Sequence, residues 1–415
     1  MFKRIFISIL LFISCVSASY SQEFKTGIFS GDVYTLRVNP LGQPLDEPVI
    51  RLGSNDLIEI NFDLLTANPE RLTYTLTHCN ADNRPSQLLQ SEYMSGFQGL
   101  YVDDYVTSFN TTRDYVNYRL VIPNDNVNIL VSGNYAVNIY PENSDKPILT
   151  ACFSVTENAA KIEGGITTQT DRGMNTTYQA VNFAVTCGNE VATPLQDLKI
   201  FVRQNGRSDN EAVPARPLGI QNRTLTYEHI PALIFEAGNE YRSFEMLTHR
   251  YDGMNIERIS FQPPYYHVFL KESQIRSDRS YFYENDINGR FTVRNLDSED
   301  FDSEADYYIV HFFLPCGKPF RDDVYILGRA FNNNLDWRSR MDYDAEAGGY
   351  VKTVPMKEGY YNFLYVTAPN NHSPASCSAI EGNFYQTENE YRILVYFRPP
   401  GARYDRLLAT NVIQK

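Results

Sequence analysis

The chain has 415 residues, with 37 Lys and Arg against 50 Asp and Glu, and a formal net charge of −13 at pH 7. At about 100 to 200 residues per domain, this length predicts two to four domains, each large enough to bury a hydrophobic core. Hydrophobic residues at 43% and aromatic residues at 13% exclude a disordered chain. The acidic balance disfavours a nucleic-acid-binding protein, because neutralising phosphates requires a basic face.

The first 22 residues have the pattern of a secretory signal. The basic pair Lys3 and Arg4 precedes an apolar run and a cleavage zone of small residues. Removing this pair leaves 35 basic residues against 50 acidic ones, a net charge of −15. Cys15 raises the alternative of a lipid anchor, but Phe12 stands where such motifs usually carry Leu, so soluble export is favoured. No later stretch approaches the roughly 18–20 apolar residues of a membrane-spanning helix.

Period-two alternation dominates the rest of the chain and predicts an all-β protein. From Ile58 to Leu64, apolar and polar residues alternate, so one face of an extended strand is expected to be buried and the other exposed. Helical periodicity is nearly absent, and Asn, Asp, Gly and Pro separate the apolar runs. We expect three consecutive antiparallel β-sandwiches of immunoglobulin-like or early-set-like type. In chain order, the predicted strands are 58–64, 71–79, 118–122, 135–140, 181–186, 198–202, 307–314, 324–327, 360–366 and 391–397.

Two changes in composition mark the predicted domain boundaries. Near residues 156–165 a strand pattern gives way to a polar stretch that ends in a glycine pair. The run 295–306 is densely acidic, and because like charges prefer water to a core, we interpret it as a surface connection between domains. The predicted division is a signal peptide at 1–22, a first β-sandwich at 23–156, a middle β-domain at 157–294 and a C-terminal early-set-like β-sandwich at 295–415.

The sequence contains none of the common catalytic or phosphate-binding motifs, such as G-x-S-x-G, H-E-x-x-H or a glycine-rich phosphate loop. Glu284–Gly289 resembles the start of a calcium-binding loop, but Asn295 stands where the bidentate Glu belongs, so an Asx turn closing a hairpin is predicted instead. His78 and His311 lie in strand patterns and are interpreted as core or interface residues. We predict no catalytic residue, no cofactor and no metal. The histidines are His78, His229, His249, His267, His311 and His372.

The cysteines that remain after cleavage are odd in number and widely spaced, without a C-x-x-C pair. This pattern favours buried free cysteines, with at most one or two disulfides, over a redox or metal role. The sequence leaves their pairing open. They are Cys79, Cys152, Cys187, Cys316 and Cys377.

Residues 324–366 resemble starch- and glycogen-binding β-sandwich modules. A strand is followed by an Asn-rich loop with the sole tryptophan, Trp337, and then by a strand that begins with Gly-Tyr. In such modules an exposed tryptophan stacks on sugar rings. The other interpretation, which we favour because one tryptophan is a thin basis for a binding platform, makes Trp337 a packing residue. If Trp337 is exposed instead, it is the candidate contact for a ligand or partner, and glucan binding is the alternative function.

Structural motifs along the mature chain carry a resemblance to a known family. They are Leu120–Pro123, Leu130–Tyr135 and Cys152–Phe153 in the first domain, Asn239–Glu245 and Asp286–Gly289 in the middle domain, and Gly359–Phe363, Gly382–Tyr391 and Val395–Tyr396 in the last. Together they resemble the Plug protein family of the Bacteroidota type IX secretion system, which is named for its first domain. The motifs bring no catalytic residues with them.

The resemblance implies a non-enzymatic periplasmic protein at the inner face of the outer membrane. Its implied partner is a large outer-membrane translocon barrel, whose lumen it closes when no substrate is passing. A sealing protein needs a broad and rigid surface, which several sandwiches in series can provide. The excess negative charge would suit either a positive rim on the partner or solubility alone.

Overall fold

The computed structural model of the protein describes residues 23–214, 216–369 and 374–415. The predicted signal segment 1–22, with Cys15, and His372 lie outside the described residues. Within those ranges the chain forms 29 strands, and its three α-helices have four residues each. The strands pair almost entirely antiparallel, which confirms the predicted all-β class. Every predicted strand coincides with or overlaps an observed one.

The first part of the chain forms two facing sheets around one core. Its elements are β1 Gly27–Ile28, β2 Val33–Pro40, β3 Val49–Arg51, β4 Ile58–Leu64, β5 Leu72–Cys79, α1 Gln90–Tyr93, β6 Met94–Gly96, β7 Leu100–Tyr101, β8 Asp104–Thr107, β9 Val116–Ile122, β10 Val127–Ile129, β11 Gly133–Pro141 and β12 Leu149–Thr156. One sheet has the order β1-β12-β11-β5-β7, the other β2-β4-β9-β8, and β6 and β10 form a separate ribbon. In β5 the buried Leu72, Tyr74 and Leu76 confirm the predicted alternation.

The chain then begins a second sandwich. Its first elements are β13 Ala160–Thr167, β14 Tyr178–Cys187, α2 Pro194–Asp197, β15 Leu198–Gln204, β16 Gly219–Gln221, β17 Thr224–Tyr227, the 3₁₀ turn Pro231–Leu233 and β18 Ile234–Glu236. Strands β13, β14, β17 and β16 form one sheet in that order, with β18 also paired to β14. Strand β15 pairs with none of these five, and its partners come from the far end of the chain.

A third sandwich follows, with a core of its own. Its elements are β19 Arg242–Met246, β20 Ile256–Gln262, β21 Tyr265–Leu270, β22 Phe291–Val293, α3 Phe301–Glu304, β23 Tyr307–Pro315, β24 Asp323–Leu327, the 3₁₀ turn Arg329–Phe331, β25 Asp342–Asp344, β26 Gly349–Lys357 and β27 Gly359–Ala368. One sheet has the order β20-β21-β23-β26-β25. In the other, β27 pairs with β19, β22 and β24.

The last two strands return to the second sandwich. Strand β28 Glu390–Phe397 pairs with β15, and β29 Arg406–Gln414 pairs with β28. Their apolar side chains complete the core that β13 to β18 begin. The third sandwich is thus inserted between β18 and β28, which differs from the predicted linear division at residues 294 and 295. That division followed local composition, whereas the pairing of β15 with β28 joins residues that are 187 to 199 positions apart.

The segment Glu284–Gly289 contains the predicted Asx turn, since Asp286 Oδ1 accepts a hydrogen bond from the Asn288 backbone N–H at 2.7 Å. The turn does not close a hairpin as predicted, because it lies between β21 and β22, which belong to different sheets. Gly289 has a φ of 79°, and a Cβ there would lie 2.5 Å from the Tyr241 ring. The turn therefore needs glycine both for its backbone angle and for its close approach to that ring.

Candidate functional site

The first and third sandwiches meet at a buried ion pair. Lys357, the last residue of β26, places its Nζ 2.9 Å from Asp63 Oδ2 on β4, and both side chains are 0% exposed. The Tyr307 hydroxyl donates to the same Asp63 oxygen at 2.6 Å, and the Asn117 amide donates to the other at 2.7 Å. Burial lowers the pKa of Lys357, and the Asp63 carboxylate opposes that effect. Both buried charges are therefore paired and hydrogen-bonded, as a dry interior requires.

A second ion pair extends this network toward α3. Arg37 on β2 donates to Asp302 and, at 2.6 Å, to the Asn61 side-chain oxygen. Lys357 Nζ also donates to the Asp302 carbonyl at 2.9 Å. With Asp63, the set holds two cations and two carboxylates, so its formal charge is balanced. We call the five ionic and amide side chains Arg37, Asn61, Asp63, Asp302 and Lys357 the central network.

The central network corrects two expectations. The polar face of β4 is not exposed, because the third sandwich covers Asn61 and Asp63. The acidic run 295–306 is a solvated connection only in its first half, where Asp297, Glu299 and Asp300 are exposed, because its second half forms α3 and packs against the first sandwich. The Tyr115 hydroxyl donates to the Ala305 carbonyl at 2.8 Å, and the Thr112 N–H donates to Asp306 at 2.9 Å. The carboxylates of Asp302 and Asp306 therefore find hydrogen-bond donors on the first sandwich.

The first and second sandwiches are joined by another buried carboxylate. Asp405, between β28 and β29, accepts hydrogen bonds from Arg398 Nε at 2.8 Å and from the Ala81 N–H at 3.1 Å. Lys199 Nζ lies 3.2 Å from both of its oxygens. Although burial opposes ionisation, the Arg398 and Ala81 hydrogen bonds keep the pKa of Asp405 below its usual value. Arg398 and Lys199 both belong to the second sandwich, so the Ala81 N–H bond is the one of these contacts that ties Asp405 to the first sandwich.

The three sandwiches converge near Glu47. This first-sandwich carboxylate forms an ion pair with Arg329 of the third sandwich. Burial raises the pKa of Glu47, but the surrounding cations Arg329, Arg392, Arg290 and Arg203 outweigh burial and lower it to about 2. Arg203 and Arg392 belong to β15 and β28 of the second sandwich. One carboxylate is thus stabilised by cations from two other sandwiches.

The pKa of Glu47 gives a test of this convergence. Because its pKa falls from 4.5 to about 2 on folding, its contribution to stability is full above pH 4.5 and is lost as the pH falls through 2. We expect Glu47→Gln to lower the free energy of unfolding at pH 7 by on the order of 3 kcal/mol, and by much less at pH 2. Denaturant unfolding of both chains at the two pH values measures this difference. An equal loss at both values would contradict the ionic role. Glu142→Gln, at a side chain that is 33% exposed, serves as the control.

The structure places Trp337 at the surface of the third sandwich, where the residue is 60% exposed. Its carbonyl accepts a hydrogen bond from Lys352 Nζ at 2.8 Å. The Arg338 guanidinium lies over the indole ring, 5.3 Å from its centroid. The favoured interpretation of Trp337 as a packing residue is therefore wrong, because the ring lies outside the core. A contact between Trp337 and a ligand or partner stays a prediction.

The histidines and cysteines of the described residues lie apart, except for one pair of histidines. His78 is buried beside the Ser132 carbonyl, and burial lowers its pKa to about 4, which leaves it neutral at pH 7. His267 Nδ1 lies 2.8 Å from His311 Nε2 on the neighbouring strands β21 and β23, an approach that sequence spacing does not indicate. Within residues 23–214, 216–369 and 374–415, no three His, Cys, Asp or Glu side chains converge as metal ligands. The five cysteines of these ranges are free thiols.

An apolar ribbon stands out on the first sandwich. It consists of α1 with the paired strands β6 and β10 and the residues beside them, 89–97 and 127–130. Leu89 is 67% exposed, Phe97 is 76% exposed, and Leu130 is also exposed. The buried Met94 and Ile129 of the same ribbon anchor it in the first core. Exposed apolar side chains on one short, anchored element make it a candidate contact surface. We call this element the apolar ribbon.

Comparisons with known proteins place the first sandwich in a family. Residues 33–157 match the model of the type 9 secretion system plug protein 1st domain. The crystal structure of a hypothetical protein from Parabacteroides merdae is 45% identical, with a TM-score of 0.93 over 95% of this chain and 100% of that chain. The C-terminal domain of the Streptococcus agalactiae AgI/II polypeptide BspA is 9% identical over 92% of this chain and 99% of that one, and its TM-score of 0.14 carries no argument. No curated protein matches.

The matched region contains both the apolar ribbon and the first-sandwich half of the central network. The family model describes a secretion plug domain, not an enzyme. No helix in the described part of the chain is long and apolar enough to cross a bilayer. These findings agree with the resemblance carried by the sequence motifs. The chain belongs to the type 9 secretion system plug protein family.

Proposed function

We propose that this chain is a non-enzymatic periplasmic protein that binds the outer-membrane translocon of type 9 secretion and closes its barrel in the resting state. The observation that carries the proposal is the match of residues 33–157 to the plug family model. The signal pattern at residues 1–22 supports export. The acidic charge favours a partner with a basic rim, since opposite charges raise the rate of encounter.

The connections between the sandwiches support a sealing role. A plug has to keep its shape against a wide opening, so its domains should not hinge freely. Interfaces between domains usually allow relative motion unless they are extensive. Here the buried pairs of Asp63 with Lys357 and of Glu47 with Arg329 join the first and third sandwiches, and the pair of Glu390 with Arg290 joins the second and third. Separating the third sandwich from either neighbour would leave such charges without their partners, which is costly.

We further propose that the apolar ribbon contacts the translocon. It lies within the residues that match the plug family, and Leu89 and Phe97 expose apolar surface that a partner could bury. Burying apolar surface contributes about 25 cal/mol per Å². Aromatic side chains at the centre of an interface often supply a large share of its binding energy. In this proposal, the partner that buries the apolar ribbon is the outer-membrane barrel protein of the translocon.

A permeability assay tests the sealing role. The gene is deleted in a strain whose translocon carries no substrate, and the uptake of large antibiotics that normally do not cross the outer membrane is measured. We expect the deletion strain to become several-fold more sensitive, and a plasmid copy of the gene to restore resistance. An unchanged sensitivity in the deletion strain would refute the sealing role.

Glucan binding is the second candidate function, and the exposure of Trp337 favours it. An indole face can stack on a sugar ring, although Arg338 already lies over this ring. Isothermal titration with malto-oligosaccharides at millimolar concentration would detect such binding. Under this alternative, Trp337→Ala abolishes the heat of binding, while replacement of the exposed Phe282 by Ala leaves it intact. No heat from the unaltered protein would eliminate the candidate.

A further inference from the structure

A cavity of about 170 Å³ lies where the three sandwiches meet. The first sandwich contributes Glu47 and Asn134, the second Arg203, and the third Arg290 and the loop 332–334. A space of this volume holds several water molecules or one small polyatomic ion. Since every sandwich supplies part of its wall, anything bound there would contact all three.

The wall of the cavity is strongly cationic. A single carboxylate, that of Glu47, lines it. The basic residues that line it are Lys25, Arg37, Arg203, Arg290, Arg329 and Arg392. The whole chain has an excess of 13 negative charges, so the charge of this wall is opposite in sign to the net charge of the chain. Carboxylates outside the wall neutralise part of it, since Arg37, Arg203 and Arg290 pair with Asp302, Glu211 and Glu390.

Several guanidinium donors at this cavity lack partners. Six buried side-chain nitrogen and oxygen atoms in the described residues make no hydrogen bond, and three of them are the Nε atoms of Arg37, Arg290 and Arg392. All three residues line the cavity. Arg392 forms no ion pair among the described residues, and its guanidinium has only a 3.4 Å contact with Thr410 Oγ1. A buried donor without an acceptor costs free energy, so this concentration at one cavity calls for an acceptor.

We propose that the cavity binds a small phosphate-type oxyanion, with the guanidinium groups of Arg392 and Arg290 as its principal donors. Planar guanidinium groups match the oxygens of such an anion and can donate two parallel hydrogen bonds. The bound anion would supply the acceptors that these side chains lack. Burial lowers the pKa of Arg392, the carboxylates Glu47 and Glu390 oppose that effect, and repulsion from Arg329 and Arg290 adds to it. A bound anion would offset this repulsion.

Thermal unfolding of the full mature chain tests the site. The melting temperature is measured in inorganic phosphate and in sodium chloride at equal pH and ionic strength. An anion that binds only the folded chain stabilises it by mass action, so we expect phosphate to raise the midpoint by about 3–5 °C. Arg392→Gln should lose this phosphate-dependent rise. Arg71→Gln, which removes a 65% exposed arginine elsewhere, should keep it.

Titration calorimetry of the unaltered protein with phosphate gives a second measurement. It tests the site even if the Arg392→Gln variant does not fold. The same titration is repeated with glycerol phosphate in place of inorganic phosphate. Heat from inorganic phosphate alone assigns the site to a free anion, and heat from both assigns it to a phosphate that a larger molecule can carry. Equal melting temperatures in phosphate and chloride together with no heat from either ligand would overturn the proposal. A phosphate-dependent rise that persists in a folded Arg392→Gln chain would overturn it as well.

Discussion

Replacing Lys357 with Met is expected to lower the free energy of unfolding by about 3–5 kcal/mol. The Lys357 ammonium is the cation paired with Asp63, and neither side chain has any exposed surface. Without it, the Asp63 carboxylate stays buried with only the neutral donors of Tyr307 and Asn117. Burying a charge without its counter-charge is among the most costly single changes in a protein interior. Guanidinium unfolding of the two chains, followed by circular dichroism, measures the difference.

Two matched variants separate the buried charge from the lost side chain. The double variant Asp63→Asn with Lys357→Met removes both charges but keeps an acceptor for Tyr307, so at least half of the lost stability should return. Arg340→Met breaks the exposed pair with Asp323 and should cost less than about 1 kcal/mol. A loss below 1 kcal/mol for Lys357→Met would show that the central network does not stabilise the junction.

Replacing Leu89 and Phe97 together with Asp is expected to reduce recovery of the translocon with the tagged chain at least tenfold. Both side chains are exposed on the apolar ribbon, so the change should leave the fold intact. It replaces apolar contact surface with two charges that a tight interface would have to desolvate. Quantitative mass spectrometry of the co-purified proteins measures the loss, and circular dichroism checks that the variant is folded.

The control for this experiment is an equally exposed aromatic residue elsewhere. Phe282 of the third sandwich is 74% exposed, close to the 76% of Phe97. We expect Phe282→Asp to recover the translocon as well as the unaltered chain does. If both variants lose the partner equally, the loss reflects general surface charge, and if neither loses it, the apolar ribbon is not the contact.

The sequence was sufficient to predict the strands and the all-β class because both follow from local patterns. Alternation over 58–64 and 307–314 matches β4 and β23 closely. The turn at Asp286 was predictable for the same reason, since an Asx turn depends on neighbours within a few residues. These features depend only on residues close together in the sequence and not on distant contacts.

The insertion and the central network could not be predicted, because both depend on distant segments. Strand β28 has the same apolar sequence whether it pairs with β15 or with a neighbour in sequence. Asp63 and Lys357 are 294 residues apart, and each has the pattern of an ordinary solvent-facing residue. The polar face of β4 carried one indication of a polar partner, since Asn61 and Asp63 lie beside Asn117 on β9. Three such polar side chains on adjacent strands are compatible with either water or a polar partner.

The most direct test of the plug proposal is co-purification from the source organism. The chain is tagged after Lys415 on the chromosome, the membranes are solubilised gently, and the recovered proteins are identified by mass spectrometry. The proposal predicts recovery of an outer-membrane barrel protein of exceptional size. Recovery of the chain alone, or with glycan-uptake proteins, would contradict it.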